Sequence, residues 1–132
     1  MFDLSTKILV VDDMMTMRKL VKRSLTTIGF TDIEEAEDGE KAWQKLQESG
    51  EFKLIISDWN MPNCTGIELL KRVRADAHYK NLPFILLTAE AEAQQIQQAV
   101  SLRVSSYIVK PFNHETIVER LEQTYKRIYG GA

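Results

Sequence analysis

A chain of 132 residues with 44% hydrophobic and 27% charged side chains suits one globular domain around one core. Basic and acidic residues nearly balance, for a formal charge of −2 and a pI near 5.7, which argues against a broad nucleic-acid footprint. No apolar run approaches the roughly 18–20 residues of a membrane span, Met1 to Lys7 lacks a signal-peptide core, and the single Cys64 excludes an intrachain disulfide.

The apolar runs are short, rich in Val, Ile and Leu, and continuous rather than alternating, as in strands buried on both faces. Ile8-Leu9-Val10-Val11 is the first. A helix follows from about Thr16 to Ile28, with Met17, Leu20, Val21, Ser24, Leu25 and Ile28 on one face and Gly29 to end it. A short strand over about Ile33 to Ala36 precedes a helix opened by Asp38-Gly39, carrying Ala42, Trp43 and Leu46, and stopped at Gly50. The third strand is Leu54-Ile55-Ile56. After the turn Asn60-Met61-Pro62-Asn63, Thr65-Gly66-Ile67-Glu68 reads as a capping box for a helix that buries Leu69, Leu70 and Val73. Asn81-Leu82-Pro83 breaks the pattern before the fourth strand, Phe84-Ile85-Leu86-Leu87. A polar helix with Ile96, Ala99 and Val100 leads to the fifth, Tyr107-Ile108-Val109. The last helix starts near Asn113, an N-cap type, and carries Ile117, Val118, Leu121, Tyr125 and Ile128.

Strand and helix alternate five times, which predicts an α/β fold: a five-stranded parallel sheet with helices on both faces. Right-handed crossovers place every strand's C-terminal end at one edge. Four polar groups close four of the runs. They are Asp12-Asp13, Asp58, Thr88 and Lys110-Pro111. Three clustered carboxylates repel one another, and Lys110 offsets only one of them. A hard divalent cation closes the gap. All-oxygen ligands with room for water and phosphate suit Mg²⁺, and the absence of His and Cys at these ends argues against zinc. Asp58 is then a candidate nucleophile toward phosphorus, giving an acyl phosphate, with Lys110 spreading the charge and Thr88 donating its hydroxyl.

Each residue has a plainer reading. An Asp at a strand end is often a turn former or helix cap, Thr88 alone an ordinary strand residue, Lys110 alone a solvated charge, and Trp59 surface packing. These readings need four separate strand ends to carry suitable groups by chance, so the joint functional reading is preferred.

The strings Val10-Val11-Asp12-Asp13, Asp58-x-x-Met61-Pro62, Thr88-Ala89 and Lys110-Pro111-Phe112 resemble the receiver domain of two-component response regulators over roughly Lys7 to Ile128. Thr16-Met17-Arg18, Glu34 to Gly39, Ser57 to Asn63, Arg74-Ala75-Asp76 and Thr88 to Ala91 resemble its chemotaxis branch, the CheY-like proteins. The resemblance implies a flavodoxin-like sheet, order 2-1-3-4-5, and one receiver domain over residues 1–132. It makes Asp58 the phospho-acceptor. Asp13, Asp58 and the Asn60 backbone carbonyl become Mg²⁺ ligands, with Asp12 assisting. It pairs Lys110 with the phosphoryl group, implies a cis Lys110–Pro111 bond, and gives Asn60 and Glu90 a part in tuning acyl-phosphate lifetime. Tyr107 becomes half of a Thr88–Tyr107 switch that biases two arrangements of the face made by the fourth helix, fifth strand and last helix. The implied partners are a histidine kinase of chemotaxis type, a phosphatase, and a flagellar motor switch protein or another target on that face. No nucleic acid or membrane insertion is expected. A cytoplasmic monomer is.

Three departures stand out. Arg103 occupies a position where relatives often carry a helix-ending glycine, so a strained or different loop is expected. The fourth helix begins Glu90-Ala91-Glu92-Ala93-Gln94, more acidic than the lysine-bearing relatives, which brings a phosphate sink or a non-flagellar pathway into view. Met14-Met15 leaves the first helix without a hydroxyl N-cap. A phosphohydrolase with an aspartyl-phosphate intermediate is a weaker reading, because Asn60 cannot be the general acid two residues after the nucleophile. A flavodoxin-like cofactor binder is weaker still, because Asp12-Asp13 would repel phosphate where a cradle is needed.

Overall fold

The computed structural model describes residues 1–89 and 93–130. Glu90, Ala91 and Glu92, which carry the acidic start of the fourth helix, lie outside the described residues. The elements are β1 (Ile8–Val11), α1 (Met15–Ile28), β2 (Ile33–Ala36), α2 (Gly39–Ser49), β3 (Leu54–Asp58), α3 (Gly66–Ala75), β4 (Phe84–Thr88), α4 (Ala93–Ser101), β5 (Ser106–Val109) and α5 (His114–Tyr129). All strand pairs are parallel, in the order β2-β1-β3-β4-β5. This is the expected α/β fold in its flavodoxin-like order.

Alternation along the strands divides the core. Ile8, Val10, Leu54, Ile56, Ile85 and Leu87 meet Val21 and Leu25 of α1 and Ile117 and Leu121 of α5 on one face. Leu9, Val11, Ile55 and Leu86 meet Ala42 and Leu46 of α2, Leu69, Leu70 and Val73 of α3, and Ala99 of α4 on the other. Every residue of β1, β3 and β4 is buried, which is why these runs show no polar alternation.

Local chemistry sets the helix ends. Asp38 accepts the Lys41 amide at 2.8 Å, Asn113 accepts the Thr116 amide at 2.9 Å, and Thr65 and Glu68 form the expected reciprocal box. The α1 N-cap, Met14, makes no side-chain cap bond, as its apolar side chain dictates. Arg103 does take the left-handed conformation, with φ of 62°.

The expected stripe on α1 needs correction. Leu20 is 48% exposed, while Arg18 is 8% exposed and points inward. Val100 on α4 and Ile128 on α5 are likewise exposed. Trp59 is buried in the core on the α3 side of the sheet, so the surface-packing reading fails.

Candidate functional site

The parallel register brings the polar strand ends together. Val11 is level with Ser57, Asp58 with Leu87, and Thr88 with Val109. Asp12 and Asp13 therefore leave β1 beside Asp58 at the end of β3. Lys110 follows β5, and its backbone amide donates to the Thr88 carbonyl at 2.7 Å. The Lys110–Pro111 bond is cis.

One oxygen from each of Asp12, Asp13 and Asp58 lies within 4.8 Å of the other two. Lys110 Nζ donates to Asp58 Oδ1 at 2.9 Å and stands 3.7 Å from Asp12 Oδ2. Asp12 is almost wholly enclosed, Asp58 is 7% exposed, and Asp13 is open to solvent. Asp12 Oδ1 accepts the Met14 amide at 2.9 Å, whereas the buried Oδ2 has no hydrogen-bond partner among the described residues. Burial, with the Asp58 charge adding to it, pushes the Asp12 carboxyl up to about 6, although the Met14 amide and Lys110 pull the other way.

This arrangement tests the metal reading. A buried carboxylate oxygen without a donor is costly unless a cation sits on it. Three carboxylates against one ammonium leave a local excess of negative charge, and all the side-chain donors are hard oxygens. The residues fit a hard divalent cation, and the exposed Asp13 leaves it a way in.

Thr88 is buried at the end of β4. Asn60 is exposed in the loop two residues beyond Asp58. Tyr107 is half-buried on β5, packs against the α3-side core, and has the Arg120 guanidinium 5.7 Å from its ring centre. Glu90 lies outside the described residues.

Two supporting residues escaped the sequence reading. Arg18 Nη1 donates to the Asp12 carbonyl at 2.7 Å, and its Nε donates to Glu35 Oε1 at 3.2 Å. It therefore pins the end of β1 to the neighbouring β2. Glu35, level with Val10 across the β1–β2 pair, was the available signal. Gly66 is the second. A Cβ there would lie 2.2 Å from the Asp58 carbonyl oxygen, and the Gly66 amide donates to the Trp59 carbonyl at 2.8 Å. Only glycine allows α3 to start this close to the end of β3.

Comparison with known proteins settles the family. The model for the response regulator receiver domain matches residues 8–122. The chain belongs to the response regulator receiver family. It is 46% identical to the chemotaxis protein CheY of Pseudomonas aeruginosa over 94% of this chain and 99% of that protein. Chemotaxis protein CheY1 of Helicobacter pylori (strain ATCC 700392 / 26695) is 43% identical over 88% of this chain and 94% of its own length. Among solved structures, chemotaxis response regulator CheY4 of Vibrio cholerae superposes with a TM-score of 0.84 at 38% identity, covering 91% of this chain and 98% of that one. This receiver domain thus shares both the fold and nearly the full span of CheY proteins.

Proposed function

We propose that this receiver domain, residues 1–132, is a CheY-type response regulator that takes a phosphoryl group on Asp58 from a histidine kinase of chemotaxis type and signals through its own surface. The observation that carries the reading is the convergence of Asp12, Asp13 and Asp58 with Lys110 paired to Asp58 and close to Asp12. A carboxylate oxygen of Asp58 attacks phosphorus as the bond to the donor's imidazole nitrogen breaks. The products are an acyl phosphate and free histidine. Lys110 holds the Asp58 carboxylate and remains beside the transferred group, and Thr88 donates its hydroxyl to a phosphoryl oxygen. Asp12, Asp13, Asp58 and the Asn60 carbonyl would hold Mg²⁺, which when bound would supply charge neutralisation.

The output follows from placement. Thr88 ends β4, its neighbour β5 carries Tyr107, and Arg120 of α5 lies over that ring. Movement of Thr88 toward a phosphoryl group makes room for Tyr107 to turn inward. The α4–β5–α5 face changes with it, and a flagellar motor switch protein docks there in a phosphorylation-dependent way. A cytoplasmic monomer suffices for this role. No helix among the described residues is long and apolar enough to cross a membrane.

The test is direct. Incubation with acetyl phosphate and MgCl₂ is expected to add one phosphoryl mass to the wild-type chain and none to Asp58→Asn. Stoichiometric labelling of the variant overturns the assignment. The motor role is checked by the affinity for a motor switch peptide with and without beryllofluoride as phosphoryl mimic. No gain on adding the mimic turns the reading toward a phosphate sink.

A further inference from the structure

The sheet edge opposite the acidic cluster holds a second concentration of charge. A cavity of about 470 Å³ opens there between the end of α3, the loop into β4, the α4–β5 loop and the end of α5. Four cationic residues line it, Arg74, Lys80, Arg103 and Arg127, and none of its lining residues is acidic. Among the described residues, none of the four forms an ion pair with a carboxylate.

Solvated surface cations need no partner, and Lys80, Arg103 and Arg127 are exposed, but the four are gathered around one cavity and Arg74 is half-buried. Arg74 donates to the Leu82 carbonyl at 2.7 Å and, through Nε and Nη2, to the Arg103 carbonyl at 3.1 and 2.8 Å. These acceptors are neutral, so its charge stays uncompensated. Burial and the neighbouring Arg103 charge push its guanidinium down to about 10. Arg103 adds a fourth like charge from a residue with φ of 62°, a conformation that costs any residue but glycine. A like charge is thus added at a strained position, and a bound anion would offset the crowding of charge. Arg127 spends one N–H on the Val104 carbonyl at 3.3 Å and keeps the rest of its fork. Val100 and Ile128, both exposed, give the pocket an apolar wall.

We propose that this pocket binds a phosphate-bearing small molecule of nucleotide size, with Lys80, Arg103 and Arg127 on the phosphates, Arg74 adding its charge while its N–H groups hold the Lys80, Leu82 and Arg103 carbonyls, and Val100 and Ile128 against the body. Guanidinium forks match phosphate oxygens in pairs, and the volume lies in the usual range for small-molecule sites. The site lies at the other end of the strands from Asp58, between the same α4 and α5 that form the proposed output face.

The experiment titrates the ¹⁵N-labelled chain with ATP, and separately with inorganic tripolyphosphate, while amide shifts are followed. EDTA is present so that no cation bridges phosphate to the acidic cluster. Saturable shifts are expected at Lys80, Arg103, Val104 and Arg127. Affinity is expected to fall about tenfold or more in Arg103→Gly, which keeps the backbone conformation, and in Lys80→Gln. ATP is expected to bind more tightly than tripolyphosphate, because only the nucleotide has a body for the apolar wall, and equal binding overturns the nucleotide assignment. The proposal is overturned by the absence of saturation at millimolar ligand, by shifts confined to the acidic edge, by unchanged affinity in both variants, or by a hexaglutamate peptide that binds more tightly than either phosphate compound.

Discussion

Asp12→Asn is expected to stabilise the metal-free protein. In the folded state the Asp12 carboxyl stands at about 6, against 3.8 for an ordinary aspartate. The native fold therefore disfavours the ionised form by about 3 kcal/mol relative to the unfolded chain. The sign is the reverse of the usual carboxylate case. Between these two values the native state holds more protons than the unfolded one, so stability falls as pH rises from near 4 to near 6 and the penalty is full above that. Asparagine keeps the shape and can still accept the Met14 amide, but its amide group takes the place of the unpartnered Oδ2 and loses the attraction of Lys110 at 3.7 Å. Allowing about 1–2 kcal/mol for that leaves a net gain of about 1–2 kcal/mol at pH 7.5 in EDTA. The assay is urea denaturation of both proteins. At pH 5 the ionisation penalty is about half its full value, so the difference shrinks there. Saturating MgCl₂ reverses the order, because the native wild type binds the cation more tightly and gains about 2.7 kcal/mol at a hundredfold excess over Kd. The reasoning is refuted if the variant is no more stable than wild type in EDTA, or if the difference does not respond to pH.

Two further substitutions probe the frame of the site and its output. Gly66→Ala forces a methyl group to within 2.2 Å of the Asp58 carbonyl oxygen, a backbone atom that cannot swing away. A loss of more than about 3 kcal/mol in denaturant midpoint analysis, with slower phosphorylation, is expected, and wild-type stability would show that α3 can start elsewhere. Tyr107→Ala removes the half-buried ring that Arg120 covers, without touching Asp58 or Lys110. Affinity for a phosphorylation-dependent partner is expected to fall while the acetyl phosphate labelling rate stays within about twofold, a change of roughly 0.4 kcal/mol. The opposite split would remove Tyr107 from the switch.

The sequence made the sheet legible because buried parallel strands need continuous apolar runs, and four of the five runs gave way to a polar group within two register steps of one another at the same edge. Asp12, Asp13, Asp58, Thr88 and Lys110 could therefore be placed together before any coordinates. Helical periodicity was less informative on α1. It turned Leu20 inward with Met17 and Ser24, yet the inward place belongs to Arg18. Apolar patterning cannot see that the carbonyl of Asp12, past the last ladder bond of β1, needs a donor and that a guanidinium supplies it. Gly66 was read only as part of a capping box. Its tighter role depends on the distance between two elements, which local sequence does not encode. Arg103 illustrates the converse. Its sequence position already pointed to a strained helix exit, and the φ of 62° is that strain, but the three other cations around it come from α3, its loop and α5.

The two charged ends of the molecule follow one polarity. Each helix returns antiparallel to the strands, so helix N-termini face the edge of Asp12, Asp13 and Asp58, and helix C-termini face the edge of Arg74 and Arg127. Partial positive charge at the first end and partial negative charge at the second oppose the repulsion within each cluster. Glu68 in the first turn of α3 and Arg72 and Arg74 in its last turn repeat the pattern within one helix, as do Glu115 and Lys126 with Arg127 in α5. Fractional charges that fade within a turn cannot neutralise three carboxylates or four cations. They lower the cost of gathering them and leave each cluster short of full compensation. A parallel α/β fold with charged strand and helix ends thus arrives with two edges of opposite charge, and neutralising one does not relieve the other.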